Sequence, residues 1–437
     1  ITKMKAEKQK AEKEAFFCTT KELSRLGLEQ IPTQFQSHKH LIYSSPATLA
    51  FNSPGAEGFG VKRAGLAVPD SIMLIVAPGC CGRNTSLISS MKEYNDRFYY
   101  LMMDETDIVT GRHLKKIPKA VEEICSVCPK KPSVVMICIT CVDALLGTDM
   151  ERVCKKAEEQ VEIPVRPCYM YALTREGRKP PMVHVRQSLY SLLEPGKKKG
   201  NVVNLLGFFS PLVDDCEIYD LLHSAGVKTI HEISRCKDYM EYQTMSEANF
   251  NLVLHHEARF AAEDFHNRLQ IPFIELRRLY QIDKIENQYH ALGNALGVAF
   301  YDEKYKKQAE DALEKFRQKC PDASFAIGEC LNADPFELSL ALIRYGFSVP
   351  EIYGTITVEN FTYIRSLAKI SPETKVFSNM EPTMIYYDPA KSDVNLAIGK
   401  DACYYHPDCP YVMWNGEEQP YGYAGVRRLF EQLLEVV

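Results

Sequence analysis

"SIMLIVAPGCCG", residues 71–82, is an apolar run of strand length that passes directly into a glycine-flanked turn with two adjacent cysteines, Cys80 and Cys81. A second apolar run, "SVVMICIT" (133–140), leads in the same way into Cys141. The segments "LKKIPKAVEEICSVC" (114–128) and "DMERVCKKAEEQV" (149–161) instead have apolar residues at helical spacing. This alternation of short apolar runs and helical segments predicts βαβ units around a parallel sheet.

The same alternation continues to residue 437, with a Lys-rich break, "LEPGKKKG" (193–200), before the next strand-like run. A chain of 437 residues with 46% apolar residues is too large for one core, so two or three domains are expected. We predict an α/β fold of three Rossmann-like open parallel-sheet domains at 46–198, 199–320 and 321–437. Residues 1–45, rich in Lys, Glu and Ala, are expected to form an exposed helical arm. We also expect one long helical stretch at 286–320 and a helix-like segment at 335–354.

Composition excludes several classes of function. The net charge of −5 provides no basic face for nucleic acid, and no apolar run is long enough to span a membrane. We expect a cytoplasmic protein. Fifteen cysteines with irregular spacing favour reduced thiols or metal ligands over disulfides. No phosphate-binding glycine motif is present, so we expect no nucleotide on this chain.

The cysteines that follow the two apolar runs are the strongest candidates for chemistry. Loops at the carboxyl ends of neighbouring parallel strands meet at one edge of a sheet, and thiolates there are typical ligands of iron–sulfur clusters. The alternative is that each is an ordinary buried cysteine. We favour helix packing for Cys125 and Cys128; the alternative, redox or zinc use, would need a second cysteine pair nearby. Cys403, His406 and Cys409 have ligand-like spacing on one loop, but a fourth metal ligand is not evident.

Several ordered motifs resemble the nitrogenase component 1 family. They are "GCCGRNTS" (79–86), "MDETDIVTGRHLKKI" (103–117), "TCVDALLGTDMERV" (140–153), "VNLLGFFS" (203–210) and "QPYGYAGVRRLFEQL" (419–433). The resemblance covers roughly residues 46–437 and includes the light-independent protochlorophyllide and chlorophyllide reductases and the nickel-tetrapyrrole reductive cyclases. It implies a catalytic component that takes low-potential electrons from a separate ATP-binding iron protein. The alternatives are a metallocluster assembly scaffold and a non-catalytic partner subunit of a heterodimeric reductase.

The resemblance also implies an iron–sulfur cluster at the interface with a second copy or a homologous subunit, in a dimer or tetramer. Cys81 and Cys141 match its ligands, and we expect the cluster to be [4Fe–4S]. Cys80 stands at the family's glycine position and is either a spare thiol or an alternative ligand. A third family cysteine is missing, because its region contains Ser53 instead.

A second metallocofactor or a substrate is expected in a cavity between the three domains. Alignment with the nitrogenase pattern places His255 at the cofactor's cysteine and Met413 near its histidine, so the nitrogenase cofactor is not held in the usual way. His255, His256 and His184 are candidate proton donors. Arg178 and Arg259 are candidate substrate-cavity residues, in the company of Arg175 and Arg186. The alternatives are structural histidines and a surface loop.

Overall fold

The computed structural model describes residues 14–36, 60–79, 91–170 and 179–437. Within them the chain forms three sheets separated by helices. The strands are β1 (Phe17–Thr19), β2 (Ile72–Ala77), β3 (Phe98–Met102), β4 (Val135–Ile139), β5 (Val165–Tyr169), β6 (Val202–Leu206), β7 (Thr229–His231), β8 (Phe250–Val253), β9 (Phe273–Glu275), β10 (Ser324–Ile327), β11 (Ser348–Tyr353), β12 (Lys375–Phe377), β13 (Leu396–Ile398) and β14 (Tyr411–Val412).

Helices connect these strands, as parallel pairing requires. They are α1 (Thr20–Leu26), α2 (Val61–Gly65), α3 (Glu105–Thr110), α4 (His113–Val127), α5 (Cys141–Leu146), α6 (Met150–Val161), α7 (Pro181–Tyr190), α8 (Glu217–Ser224), α9 (Tyr239–Gln243), α10 (Arg259–Leu269), α11 (Ile282–Leu296), α12 (Glu303–Lys319), α13 (Pro335–Arg344), α14 (Phe361–Ile370), α15 (Lys400–Tyr405) and α16 (Gly422–Val436). None of the described helices combines the length and the apolar character needed to span a bilayer.

The strand orders are β3-β2-β4-β5 in the first sheet, β7-β6-β8-β9 in the second and β1-β12-β11-β10-β13-β14 in the third. Every neighbouring pair is parallel except β1 with β12. The prediction of an α/β fold with three Rossmann-like open sheets is therefore confirmed. The continuous apolar runs of β2 and β4 are explained by their central positions, where both faces of a strand are buried.

The three sheets share their interior. One apolar cluster joins Met73 of the first sheet to Val253 of the second, and another joins Leu252 of the second to Phe325 of the third. All four side chains are essentially inaccessible to solvent. Burial of this kind, at about 25 cal/mol per Å² of apolar surface, fixes the sheets against one another. Loops at the carboxyl ends of different sheets therefore keep fixed relative positions.

The expectation of an exposed helical arm is wrong for residues 14–36. β1 adds an antiparallel strand to the edge of the third sheet, with Phe17 opposite Phe377. Leu23 and Phe35 are fully buried, and the backbone oxygen of Phe35 accepts a hydrogen bond from Ile356 N at 2.9 Å. The segment is rich in charged residues, so its few apolar residues give no clear pattern in the sequence. Their burial against the third sheet fixes the segment in place.

Two predicted helical stretches are also divided. The stretch at 286–320 contains two helices, because Gly297 adopts a left-handed φ of 71° that ends α11. The helix-like segment at 335–354 is helical only through α13, and Gly346, at φ 95°, precedes strand β11. In both cases a glycine with positive φ ends a helix that apolar spacing alone would continue.

Candidate functional site

Three strands of the first sheet end together at the edge where the candidate cysteines occur in the sequence. Ala77 of β2 is in register with Met102 of β3, and Val76 of β2 is in register with Ile139 of β4. We call this the cysteine edge: the carboxyl ends of β3, β2 and β4 with the turns that follow them. Topology thus brings the turn after β4 beside the end of β2, as the sequence predicts.

Cys141 is the first residue of α5, directly after Thr140 at the end of β4. The side chain of Cys141 lies outside the described part of the structure, as do Cys80, Cys81 and Ser53. Their roles as ligands, or as a spare thiol in the case of Cys80, therefore stay predictions. The geometry supports the placement of the β4 turn and not a specific ligand set.

A cleft of about 470 Å³ opens at the carboxyl ends of β6, β8, β9 and β10, with α7 forming a further wall. It receives residues from the second and third sheets and from the helix that follows the first. The outer carboxyl ends of strands are where open α/β sheets bind ligands. The cleft is therefore the candidate ligand site, distinct from the cysteine edge.

Close packing places His255 in the cleft wall. Gly207, after β6, has φ 142°, and a Cβ atom there would lie 2.8 Å from His255 N and 2.9 Å from His255 Cβ. Only glycine allows this approach of the two turns. The Gly207 oxygen in turn accepts hydrogen bonds from Arg186 Nη2 at 2.7 Å and Nε at 3.1 Å. One glycine thus connects the β6 turn, the β8 turn and α7.

His255 is neutral at ordinary pH. Although a third of its side chain is exposed, protein surrounds the ring closely. Burial, followed by the nearby charges of Arg186, His256 and Arg278, holds the pKa of His255 well below its usual value. The rings of His255 and His256 stack at 4.5 Å, and His255 Nδ1 accepts a hydrogen bond from Glu257 N at 3.3 Å. A neutral imidazole offers a lone pair to a metal but is a poor proton donor.

Two of the arginines in the cleft are neutralised by carboxylates. Arg186 donates to Glu257 Oε2 at 2.7 Å, and Arg259 forms a two-bond pair with Glu275 at 2.7 and 2.8 Å. A guanidinium held by two parallel bonds to a carboxylate is fixed in geometry as well as in charge. These pairs shape the wall and leave little net charge for a ligand.

Arg278 is different. No carboxylate pairs with it among the described residues; its guanidinium lies 4.4 Å from the Phe208 ring centre and donates to Gln419 Oε1 at 2.6 Å. Its Nε and the hydroxyl of Ser210 are buried without a hydrogen-bond partner in the described part of the chain. Burial lowers the pKa of Arg278. Unsatisfied buried donors are costly, so the cleft is suited to a ligand that accepts hydrogen bonds and carries negative charge.

The acidic side of the cleft is partly neutral. Burial, with the neighbouring charge of Asp401, raises the pKa of Glu329 to about 7. Burial also raises the pKa of Asp334 to about 6, although its carboxylate accepts hydrogen bonds from Phe336 N and Glu337 N at the start of α13. At pH 7 Glu329 is therefore protonated in about half of the molecules, whereas Asp334 is mostly ionised, and Glu329 opposes an anionic ligand less than a full carboxylate would.

Comparison with known proteins identifies the family. The model of the nitrogenase component 1 type oxidoreductases matches residues 57–437. The chain belongs to this family. The nitrogenase iron-molybdenum cofactor biosynthesis protein NifE of Sinorhizobium fredii is 25% identical over 418 aligned positions, covering 89% of this chain and 82% of that protein. NifE of a Nostoc species is 25% identical over 284 positions, covering 62% of this chain and 58% of that protein.

Solved structures agree with the fold. The structure described as nitrogenase Cp1 at pH 6.5 superposes with a TM-score of 0.69 at 18% identity and covers 90% of this chain and 92% of that one. At this identity the likeness establishes the arrangement of sheets and helices in a nitrogenase component 1-type chain. The resemblance inferred from the sequence motifs is confirmed by the family match.

In this nitrogenase component 1-type chain, four of the predicted cavity residues line the cleft together: Arg186, His255, His256 and Arg259. Two others do not. His184 packs edge-on against Tyr169 at 4.3 Å, and burial lowers its pKa to about 4. Met413 is 45% exposed outside the cleft wall. Arg178 and Arg175 lie outside the described residues.

The sequence pattern did not identify Ser210 and Arg278, the cleft residues whose donor atoms lack a hydrogen-bond partner among the described residues. Ser210 and Arg278 follow β6 and β9, so their place after strands was a usable signal. Their missing partners are a property of packing that no sequence pattern displays.

Side chains of the other two cysteine-containing motifs form hydrogen bonds with neighbouring protein groups. The Cys128 sulfur lies 3.1 Å from the Tyr99 hydroxyl, and His406 is held by Glu351 Oε2 at 3.1 Å. Among the described residues, no group of three or more Cys, His, Asp or Glu side chains is arranged to hold a metal ion.

Proposed function

We propose that this chain is a scaffold subunit on which a metallocluster is held during its assembly. The single observation that carries the proposal is the pair of buried donors without partners, Arg278 Nε and Ser210 Oγ, in a cleft beside a neutral histidine. The relatives named as cofactor biosynthesis proteins support a scaffold over the catalytic component inferred from sequence.

The cargo of the cleft is an anionic metal–sulfur cluster, or a cluster with an anionic organic ligand. Arg278 supplies a positive charge that no carboxylate cancels among the described residues, and Ser210 supplies a hydroxyl donor. Hydrogen bonds to anions are about twice as strong as those between neutral groups, and more so where water is excluded. A cleft of about 470 Å³ is within the usual range for small-molecule sites.

His255 is the proposed protein ligand of this cargo. In the described structure Nδ1 accepts a hydrogen bond from Glu257 N, so ligation through Nε2 requires the ring proton to move to Nδ1. Glu257 Oε2, 3.7 Å from Nδ1, would accept a hydrogen bond from that proton after a small approach, and a carboxylate so placed fixes the tautomer and orientation of a metal-bound imidazole. Because its pKa is low, His255 need lose no proton to the solvent before binding.

A separate iron–sulfur cluster, [4Fe–4S] by our prediction, is proposed at the cysteine edge with Cys81 and Cys141 as ligands. Since two cysteines from one chain are too few, a second copy or a homologous subunit must complete it. The thiolates would hold the cluster, and its iron would supply one-electron chemistry for electrons delivered by an ATP-binding iron protein. The chain's own contribution is to hold two strand ends at fixed separation.

A reductase with a substrate in the cleft is the second candidate. It is favoured by Glu329, whose pKa of about 7 suits a proton donor in the wall of the cleft. His256 is the other candidate donor there.

Anaerobic protein loaded with iron, sulfide and molybdate separates these functions. A scaffold holds metal that moves to an apo-protein acceptor and shows no turnover with the iron protein and ATP. Arg278→Gln should lower cleft-bound metal at least tenfold, whereas Arg427→Gln, whose half-buried guanidinium pairs with Glu431 and Asp215 away from the cleft, should leave it unchanged. Equal metal in both variants, or turnover without transfer, would reject the scaffold.

A further inference from the structure

A buried hydrogen bond joins helices α4 and α5 at the cysteine edge. His113, the first residue of α4, places Nε2 2.8 Å from Asp143 Oδ1 in α5. The two side chains are 1% and 0% exposed. His113 belongs to the motif after β3, and Asp143 follows Cys141 by two positions. The pair therefore lies next to the proposed cluster ligand without being part of the cleft.

The hydrogen bonds fix the orientation of His113. Its Nδ1 lies 3.0 Å from the backbone oxygen of Asp107, which can only accept, so Nδ1 carries a proton. Nε2 lies 2.8 Å from Asp143 Oδ1, so the carboxylate holds the other end of the ring. Thr148 Oγ1 donates to the same oxygen at 3.1 Å. Both ends of the imidazole are thus held, and Asp143 also binds Thr148, the second residue after α5.

The His113–Asp143 hydrogen bond bridges the two sides of β2, the strand that precedes Cys80 and Cys81 in the sequence. In the first sheet β2 lies between β3 and β4. His113 begins α4, which follows β3 and α3, and Asp143 lies in α5, which follows β4, so their bond connects helices on the two sides of β2. β2 ends at Ala77, shortly before Cys80 and Cys81. Neither helix can shift along the edge without breaking a buried hydrogen bond.

The turn of Cys141 also has polar atoms without a partner. Thr140 Oγ1 and Asp143 Oδ2 are buried and have no hydrogen-bond partner among the described residues. They flank Cys141 in the sequence, one position before it and two after it. Buried polar groups of this kind are unusual in a segment whose only role is packing. They are expected where a site is completed by a further group or chain.

We propose that His113 is a positioning residue for the iron–sulfur cluster: through Asp143 it holds the turn of Cys141 in the orientation that binds iron. This inference rests on the proposed cluster at the cysteine edge. Groups that orient a metal ligand typically change metal affinity by about tenfold to a hundredfold when removed. The same pair in a purely structural role would affect only the stability of the fold.

The chain contains a matched control. His406 and Glu351 form a second buried pair, with side chains 2% and 3% exposed and an Nε2–Oε2 distance of 3.1 Å. It lies in the third sheet, away from the cysteine edge. His113→Ala and His406→Ala each leave one buried carboxylate without its imidazole. His113→Gln retains an N–H donor for Asp143 and serves as the conservative variant.

Two measurements decide the matter. The first is amide hydrogen exchange of residues 140–149 in the iron-free protein. His113→Ala should speed this exchange about tenfold, and His406→Ala should leave it unchanged. His113→Gln should restore much of the protection that His113→Ala removes. The second is the rate at which a chelator removes iron from the loaded protein, together with the electron paramagnetic resonance signal. His113→Ala should lose iron at least tenfold faster or change the signal, and His406→Ala should do neither.

Unchanged exchange at 140–149 in His113→Ala overturns the proposal, as does unchanged iron loss with an unchanged signal. If the unaltered protein takes up no iron either alone or with a coexpressed homologous subunit, the proposed cluster fails, and with it the role of His113 toward iron. The exchange result then still reports whether the pair holds the turn. Failure of the pair and failure of the cluster are in this way distinguishable.

Discussion

Replacing Gly207 by alanine is expected to destabilise the protein and to distort the cleft at the same time. The backbone of Gly207 has φ 142°, and an added Cβ would lie 2.8 Å from His255 N and 2.9 Å from His255 Cβ. The positive φ strains any residue with a side chain. The short contacts of the added Cβ would force the β6 and β8 turns apart, because the His255 atoms that it meets are backbone or next to backbone.

The magnitude follows from these two contributions. A strained backbone conformation costs about 1–3 kcal/mol, and overpacking costs about 1–3 kcal/mol. Gly207→Ala should therefore lower the free energy of unfolding by about 2–6 kcal/mol. Gly226 is the control, because its φ is 89° and nothing lies within 4 Å of an added Cβ. Gly226→Ala carries strain alone and should cost about 1–2 kcal/mol.

The assay is urea unfolding of the iron-free variants, followed by circular dichroism and fluorescence. The reasoning predicts a larger loss for Gly207→Ala and a weakened Arg186 contact, detectable as reduced uptake of cleft-bound metal. Should the two glycine variants unfold within about 0.5 kcal/mol of each other, the close contact with His255 would have no energetic meaning. Packing at the cleft wall would then need another explanation.

Three further predictions follow from buried groups. His255→Ala should lower cleft-bound metal at least tenfold, and His255→Cys should recover most of it because a thiolate is also a good ligand; equal loss in both would exclude ligation at this position. Glu337 has its pKa raised from 4.5 to about 7 by burial, so its contribution to stability is present at low pH and falls by about 3 kcal/mol as pH rises from 4.5 through 7. Glu337→Gln should flatten that part of a stability–pH curve, and an unchanged curve would contradict the shift. Glu217 accepts hydrogen bonds from Tyr423 N and Ala424 N at the start of α16 and from the Tyr289 hydroxyl. Glu217→Ala should therefore lower the free energy of unfolding by about 3–5 kcal/mol in chemical unfolding. A loss below about 1 kcal/mol would show that Glu217 does not stabilise the start of α16.

Much of the fold was predictable from local pattern. The continuous apolar runs at β2 and β4 identify buried central strands, and the adjacent positions of those strands place their carboxyl ends at one edge. The N-terminal segment was not predictable, because the burial of Leu23 and Phe35 depends on a partner sheet some 300 residues later in the sequence. Positive φ values at Gly297 and Gly346 likewise depend on where the next element packs.

The site was predictable in part for the same reason. His255, His256 and Arg259 follow a strand, and strand ends in parallel sheets converge on ligands. Arg278 also follows a strand, yet its significance is that it lacks a carboxylate partner in the described part of the chain, which only packing reveals. Met413 follows β14 but is exposed, so alignment with the cofactor histidine of nitrogenases does not carry its side chain into the cleft.

The central claim is that Cys81 and Cys141 bind an iron–sulfur cluster shared with a second chain of the same family. The direct measurement is iron and acid-labile sulfide per chain after anaerobic purification, with native mass determined on the same sample. If two copies share one [4Fe–4S] cluster, the unaltered protein and Cys125→Ala should hold about two iron atoms per chain in a dimer, and Cys81→Ala and Cys141→Ala should each lose most of this iron. Full iron retention in both of the latter variants would contradict the account.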